Sequence, residues 1–213
     1  MLDLIIGRRE LGKTTLAIHL SRAFPTRVIF DPRHMIHTTS DVLTDGQVWG
    51  TLYEMLNERS EIIIRPQFNI DDVFAETCAE IFTWLKDNPG EPFFFLVDEI
   101  RFLRSPELNH HFDHIVRCTP RSQVTVALTA HGVPDMDTDL RRVADYWILF
   151  HLTLEADLDR VRERCGEEVA EEVQKLAPFE YIVWNDGTAS WRKHAEPSKW
   201  FVELNPGKVM AHD

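Results

Sequence analysis

The first fifteen residues constrain this chain most. An apolar run, Leu2-Asp-Leu-Ile-Ile6, breaks there into Gly7-Arg8-Arg9-Glu10-Leu11-Gly12-Lys13-Thr14-Thr15. Gly7, Gly12, Lys13 and Thr14 fit G-x-x-x-x-G-K-[ST], the P-loop spacing. A strand delivers the chain to a turn whose successive backbone N–H groups point inward, and the helix that follows adds the positive end of its dipole to the same concavity. That concavity suits a polyphosphate, with residues 7 to 15 as the cradle. Lys13 would reach the β- and γ-phosphates, and the Thr14 hydroxyl would ligate a bridging Mg²⁺. Leu2 to Ile6 and Thr14 to Ala23 supply the strand and helix the motif needs. Glu10 and Leu11 stand where small residues are common, so Glu10 must point away from the phosphates.

The 213 residues are 44% hydrophobic and 27% charged, a globular composition with length for one substantial core. The first apolar run is committed to the P-loop strand, which leaves no room for a signal peptide, and no apolar run reaches bilayer length. Cys78, Cys118 and Cys165 are odd in number and widely spaced, the usage of reduced thiols, so a soluble cytoplasmic protein is expected. The net charge of −12 has the wrong sign for coating nucleic acid with the whole surface. Any DNA role must therefore be local.

A second strand is expected over Arg27 to Phe30, closed by Asp31-Pro32. Arg33 to Thr44 reads as polar loop, and Val48, Leu52 and Met55 share a helical face. Glu61 to Arg65 is a further strand. Ile70 to Leu85 repeats its apolar positions at helical intervals, with Asn69 as N-cap and Asn88-Pro89-Gly90 as stop. Next comes Phe93-Phe-Phe-Leu-Val-Asp98-Glu99. An apolar run of this kind is what a central parallel strand needs, and such sheets place ligands at the strands' carboxyl ends. Beside a P-loop, Asp98 fits the Walker B role on Mg²⁺ and Glu99 that of general base for the attacking water.

A helix is expected from Pro106 to Arg117. Its His110 and His114 share a face, read as a solvated or interface cluster ahead of a metal pair. Gln123 to Thr129 is an apolar strand ending in Ala130-His131. If that strand lies between the P-loop and Walker B strands, His131 is the candidate γ-phosphate sensor; the alternative is an ordinary loop histidine. A short helix over Met136 to Ala144 and a strand over Tyr146 to His151 follow. Two helices come next, Leu154 to Cys165 closed by Gly166 and Glu167 to Leu176, and then a β-hairpin of Phe179–Trp184 and Thr188–Arg192. Residues 1–196 form one expected domain and 197–213 a tail in which Trp200, Phe201 and Val202 suggest packing.

The order of these motifs implies an α/β three-layer sandwich with a mostly parallel sheet and a C-terminal β-hairpin. A glutamate directly after the Walker B aspartate resembles the additional-strand, catalytic-Glu class of P-loop NTPases, which hydrolyse ATP with water. The second half runs from Arg121 through His131, Pro134 to Asp139, Ala144 to Phe150, Asp157 to Gly166 and Lys175 to Val183. It resembles the HerA/FtsK superfamily, and within it the genome-packaging ATPases of tectivirus-type phages and related membrane-containing icosahedral viruses. The resemblance covers about residues 1 to 190, with His131 in place of the usual sensor Gln.

This resemblance implies ATP and Mg²⁺ as cofactors and a homo-oligomeric ring, hexamer or pentamer, that moves double-stranded DNA. It also implies an arginine acting on the neighbouring subunit's site. Arg121 is the first choice and Arg117 the second, with surface salt bridging as their alternative. Arg101 and Arg104 are the implied phosphate contacts in the pore. A nucleotide-dependent assembly ATPase like the zonular occludens toxin-like proteins is the competing class. A small-molecule kinase is a weaker one, which Glu99 argues against.

Overall fold

The computed structural model describes residues 1–36, 40–104, 106 and 109–195. In chain order the elements are β1 (Leu2–Ile6), α1 (Lys13–Ser21), β2 (Thr26–Phe30), β3 (Asp41–Leu43), α2 (Thr51–Leu56), β4 (Glu61–Ile64), α3 (Ile70–Asp87), β5 (Phe93–Val97) and α4 (His110–Arg117). They continue with β6 (Val124–Ala130), α5 (Thr138–Val143), β7 (Tyr146–Leu149), α6 (Glu155–Cys165), α7 (Glu167–Val173), β8 (Tyr181–Asn185) and β9 (Ser190–His194). The nine strands form one sheet in the order β3-β4-β2-β5-β6-β1-β7-β8-β9. The first seven positions pair in parallel, and β8 and β9 add an antiparallel hairpin.

Strand alternation sorts the apolar residues into two layers. Leu2, Leu4 and Ile6 of β1 and Phe93, Phe95 and Val97 of β5 face the side covered by α2, α3, α4, α6 and α7. Ile5, Phe94 and Leu96 face α1, through Leu16, Ala17 and Leu20. Both faces are covered, which is why the central strands read as unbroken apolar runs. On the larger layer, Phe74 of α3 packs against Phe30 and Phe112, each with ring centroids 5.2 Å away. Truncating such a buried ring costs about 3–5 kcal/mol.

The sandwich, the parallel sheet and the hairpin are those expected from sequence, and β6 lies between the P-loop strand β1 and the Walker B strand β5. The differences are local. Along the chain three strands, not two, come between β1 and β5, because β3 forms at the sheet's edge inside the stretch read as loop. The helix expected from Pro106 begins at His110, where the Asn109 side chain accepts the Phe112 N–H as N-cap. Asn69 occupies the N-cap position of α3 but makes no side-chain capping bond. The hairpin strands start two residues later than expected, at Tyr181 and Ser190. Gly166, at φ 95°, closes α6 as read. The expected tail, with Trp200, Phe201 and Val202, lies outside the described residues.

Candidate functional site

Strand register brings the site together at the carboxyl edge of the sheet. Ile6 of β1 pairs with Ala130 of β6, Leu128 of β6 pairs with Val97 of β5, and Val97 pairs with Phe30 of β2. The residues that follow these pairs are Gly7, His131, Asp98 and Asp31, so one edge carries the P-loop, the acids and the histidine. The P-loop itself needs its two glycines. A Cβ on Gly7 would lie 2.4 Å from Phe150 Cβ, and Gly12 sits at φ +99°. Arg8, Arg9, Glu10 and Thr15 are exposed, with Glu10 at φ 63° on the outside of the loop.

Thr14 Oγ1 donates to Asp98 Oδ1 at 2.9 Å, which sets the two side chains suited to a divalent cation next to each other. Thr129 Oγ1 donates to the same oxygen at 2.7 Å. Thr129 Oγ1 also accepts the Glu99 N–H at 2.7 Å, fixing Glu99 in a left-handed conformation, φ 56° and ψ 62°. A non-glycine residue there stores about 1–3 kcal/mol of strain. Burial pushes the Asp98 carboxyl above its ordinary value, opposed by the hydrogen bonds from Thr129 and Thr14. Burial lowers the Lys13 ammonium, opposed by Glu99 and Asp98. Lys13 Nζ donates to the Arg8 carbonyl at 2.9 Å.

The Glu99 carboxylate is surrounded by nitrogen. Arg33 Nη1 lies 3.5 Å from Oε1; Arg101 Nε and His131 Nε2 lie 3.5 and 3.0 Å from Oε2. Buried Oε2 nevertheless accepts no hydrogen bond from the described residues. His131 also has Lys13 Nζ 3.4 Å from Nδ1 and Arg9 Nε 3.3 Å from Nε2. Burial, reinforced by Lys13, Arg101 and Arg9, pulls its pKa down to about 4, so the ring is neutral at pH 7. With the proton on Nε2, Nδ1 accepts from Lys13. With the proton on Nδ1, Nε2 accepts from Arg9 instead. Beside this cluster lies a groove of about 720 Å³ lined by Arg8, Arg9, His131, His151 and Leu154, among others.

The arrangement fits a nucleoside triphosphate with Mg²⁺. Thr14 and Asp98 form an oxygen pair for the cation, Lys13 a point charge on the loop, and Glu99 Oε2 a buried acceptor left open for a proton. Two members of this cluster escape sequence reasoning. Thr129 is hidden inside an apolar strand, where a lone hydroxyl beside the Walker B strand is its one signal, and Arg33 lies in a polar loop with none.

Other expected residues lie elsewhere. Arg101 is turned onto Glu99, and its side chain is one-third exposed. The backbone N–H of Arg104 donates to Asp71, and Arg104 is exposed. Arg117 and Arg121 precede β6, whose seven residues span roughly 20 Å before reaching the P-loop edge, so neither touches the site of its own chain. Arg121 Nη1 pairs with Asp145 Oδ1 at 2.8 Å and is 76% exposed, and Arg117 pairs with Asp113. His111 and His114 pack against Phe82, and no group of three or more metal-ligand side chains occurs among the described residues.

No family model and no curated protein matches the chain. Solved structures do. The genome packaging NTPase B204 of Sulfolobus turreted icosahedral virus 2, in complex with AMPPCP, superposes with a TM-score of 0.73 at 15% identity, covering 91% of this chain and 96% of that one. The DNA-packaging ATPase B204 of Sulfolobus turreted icosahedral virus gives 0.69 at 15% identity, over 91% and 96%. The pCW3 conjugation coupling protein TcpA with ATPγS gives 0.55 at 12% identity, over 96% of this chain and 64% of that one. At these identities the likeness establishes the fold, the one the resemblance implies.

Proposed function

We propose that this chain is a Mg²⁺-dependent ATPase that couples hydrolysis to movement of double-stranded DNA as a homo-oligomeric ring. The observation that carries the hydrolytic part is the open, buried Oε2 of Glu99, one residue beyond an Asp98 already hydrogen-bonded to the P-loop Thr14. Lys13 and the P-loop N–H groups hold the phosphates, and Thr14 and Asp98 hold Mg²⁺, which neutralises charge on the phosphates when bound. Glu99 takes a proton from water at Oε2. Arg33 and Arg101 lie on either side of that carboxylate and keep it oriented. His131 spans Lys13 and Glu99, so it links the phosphate side of the site to the base and acts as the sensor.

The ring and the DNA belong to the same reading, supported by the B204 and TcpA likenesses. Exposed Arg121, with Arg117 second, serves the neighbour's site, since neither reaches its own. DNA contact must be local in a chain of net charge −12. Arg104 remains exposed for it, whereas Arg101 is engaged at Glu99. Arg141, Arg142, Arg160 and Arg164 also gather around a cavity of about 280 Å³ with Trp147. Arg141 there bonds the Asp137 carbonyl and the Thr138 hydroxyl and pairs with no carboxylate among the described residues.

ATP turnover with and without double-stranded DNA tests the reading. Turnover should rise with DNA, and Glu99→Gln should lower it about 10²- to 10⁴-fold while ATP still binds. Phosphoryl transfer to a small acceptor, or unchanged turnover in Glu99→Gln, would refute it.

A further inference from the structure

The geometry points to Phe179 as the nucleobase subsite of the P-loop, its ring face stacking on the base of a bound nucleoside triphosphate. This rests on the nucleotide reading above. It starts from direction: β1 has β6 and β5 on one side and β7 and β8 on the other. Thr14, Asp98 and Glu99 fix the metal and the terminal phosphate on the β5 side. A triphosphate is a linear chain, so with that end fixed the nucleoside leaves the loop on the other side, over β7 and β8.

Phe179 stands at that exit. It lies two residues before β8, and a Cβ on Gly12 would come 2.9 Å from its Cδ1, so the ring edge rests against the P-loop glycine that precedes Lys13. Neighbouring aromatics are packed away: Phe150 is 1% exposed and Tyr181 fully buried, with ring centroids 5.4 Å apart. Phe179 instead leaves 60% of its surface open. Its backbone is at φ 67°, an outlier for a bulky side chain, and burial of the ring does not offset that cost. The turn is held from within: the Glu180 N–H donates to the Ala177 carbonyl at 3.0 Å, Glu180 Oε2 accepts the Ala177 N–H at 2.9 Å, and Lys193 pairs with the same carboxylate at 2.9 Å. The protein thus holds an aromatic face open and fixed beside the phosphate cradle. Stacking uses the π-face that every base has, so this subsite adds affinity for the nucleoside with little choice among bases.

The test compares binding of Mg²⁺ complexes of ATP, GTP and inorganic tripolyphosphate by titration calorimetry, for the parent, Phe179→Ala and Phe179→Trp. The parent should bind both nucleotides more tightly than tripolyphosphate. Phe179→Ala should weaken ATP and GTP alike, about 10-fold or more, and leave tripolyphosphate unchanged. Phe179→Trp should keep nucleotide affinity. Equal ATP affinity in the parent and Phe179→Ala overturns the assignment, as does an equal loss for tripolyphosphate, which would make Phe179 a prop for the loop. A parent that binds tripolyphosphate as tightly as ATP overturns the subsite and leaves the P-loop reading standing, whereas a parent that binds none of the three overturns both.

Discussion

Two threonines four residues apart on β6 make opposite predictions for one chemical change. Thr129 is fully buried, and its hydroxyl both accepts the Glu99 N–H and donates to Asp98 Oδ1, each at 2.7 Å. Thr125 is 1% exposed, and its hydroxyl has no partner among the described residues. Valine has threonine's shape, so Thr→Val leaves no cavity at either position. At 129 it strands a buried N–H, costing about 1–3 kcal/mol, and removes a hydrogen bond to a carboxylate worth about 1.5–3 kcal/mol. The two overlap, giving roughly 3 kcal/mol of destabilisation. At 125 it removes a buried hydroxyl that has lost its water, so stability should stay level or rise by about 1 kcal/mol. For a domain of this size each kcal/mol moves Tm by about 2–4 °C. Thr129→Val should therefore melt roughly 6–12 °C below the parent and Thr125→Val at or slightly above it, by calorimetry without ligands. Thr129→Val should also need more Mg²⁺ for half-maximal turnover, because Asp98 loses a hydrogen bond that favours its anion. Equal melting temperatures for the two variants would refute the hydroxyl's role as the clamp on Asp98 and Glu99.

Two further outcomes follow from the charges. His131 should titrate near pH 4 by NMR, held down by burial and by Lys13, Arg101 and Arg9. Because its folded pKa lies below the unfolded value of 6.5, the unfolded chain binds more protons between the two. Its contribution to stability is full above about pH 6.5 and declines as pH falls toward 4, and a midpoint at 6 or above would contradict the geometry. The double variant Arg141→Ala, Arg160→Ala should weaken DNA binding across sequences and lower the slope of log K against log salt by about 1 to 2, measured by anisotropy on duplex DNA; an unchanged slope would remove that cavity from the DNA surface.

Sequence reveals most where a single physical demand fixes several residues at once. Gly7, Gly12, Lys13 and Thr14 serve one ligand at fixed spacing, and Phe93 to Val97 must be apolar throughout because both sheet faces are covered. The fold was therefore legible almost entirely. β3 was not, since three residues with only Leu43 buried are too few to show a period. Thr129 reads as one more β-branched strand residue until register sets it against Asp98. Arg33 reaches Glu99 only because β2 and β5 are neighbours, a fact of strand order and not of spacing. Arg101 reads as an outward loop cation, yet the tight turn after Glu99 folds it back onto that carboxylate.

Among the described residues the sheet ends in β3 on one side and β9 on the other. β3 offers three residues of ladder, and β9, Ser190-Trp-Arg-Lys-His194, carries charge along the other margin. Short strands and charged margins resist the addition of a further strand. Among the described residues, neither margin favours joining copies by backbone hydrogen bonds, a mode that would lock them in one register. In the proposed ring, contact between copies would then fall to side-chain surfaces.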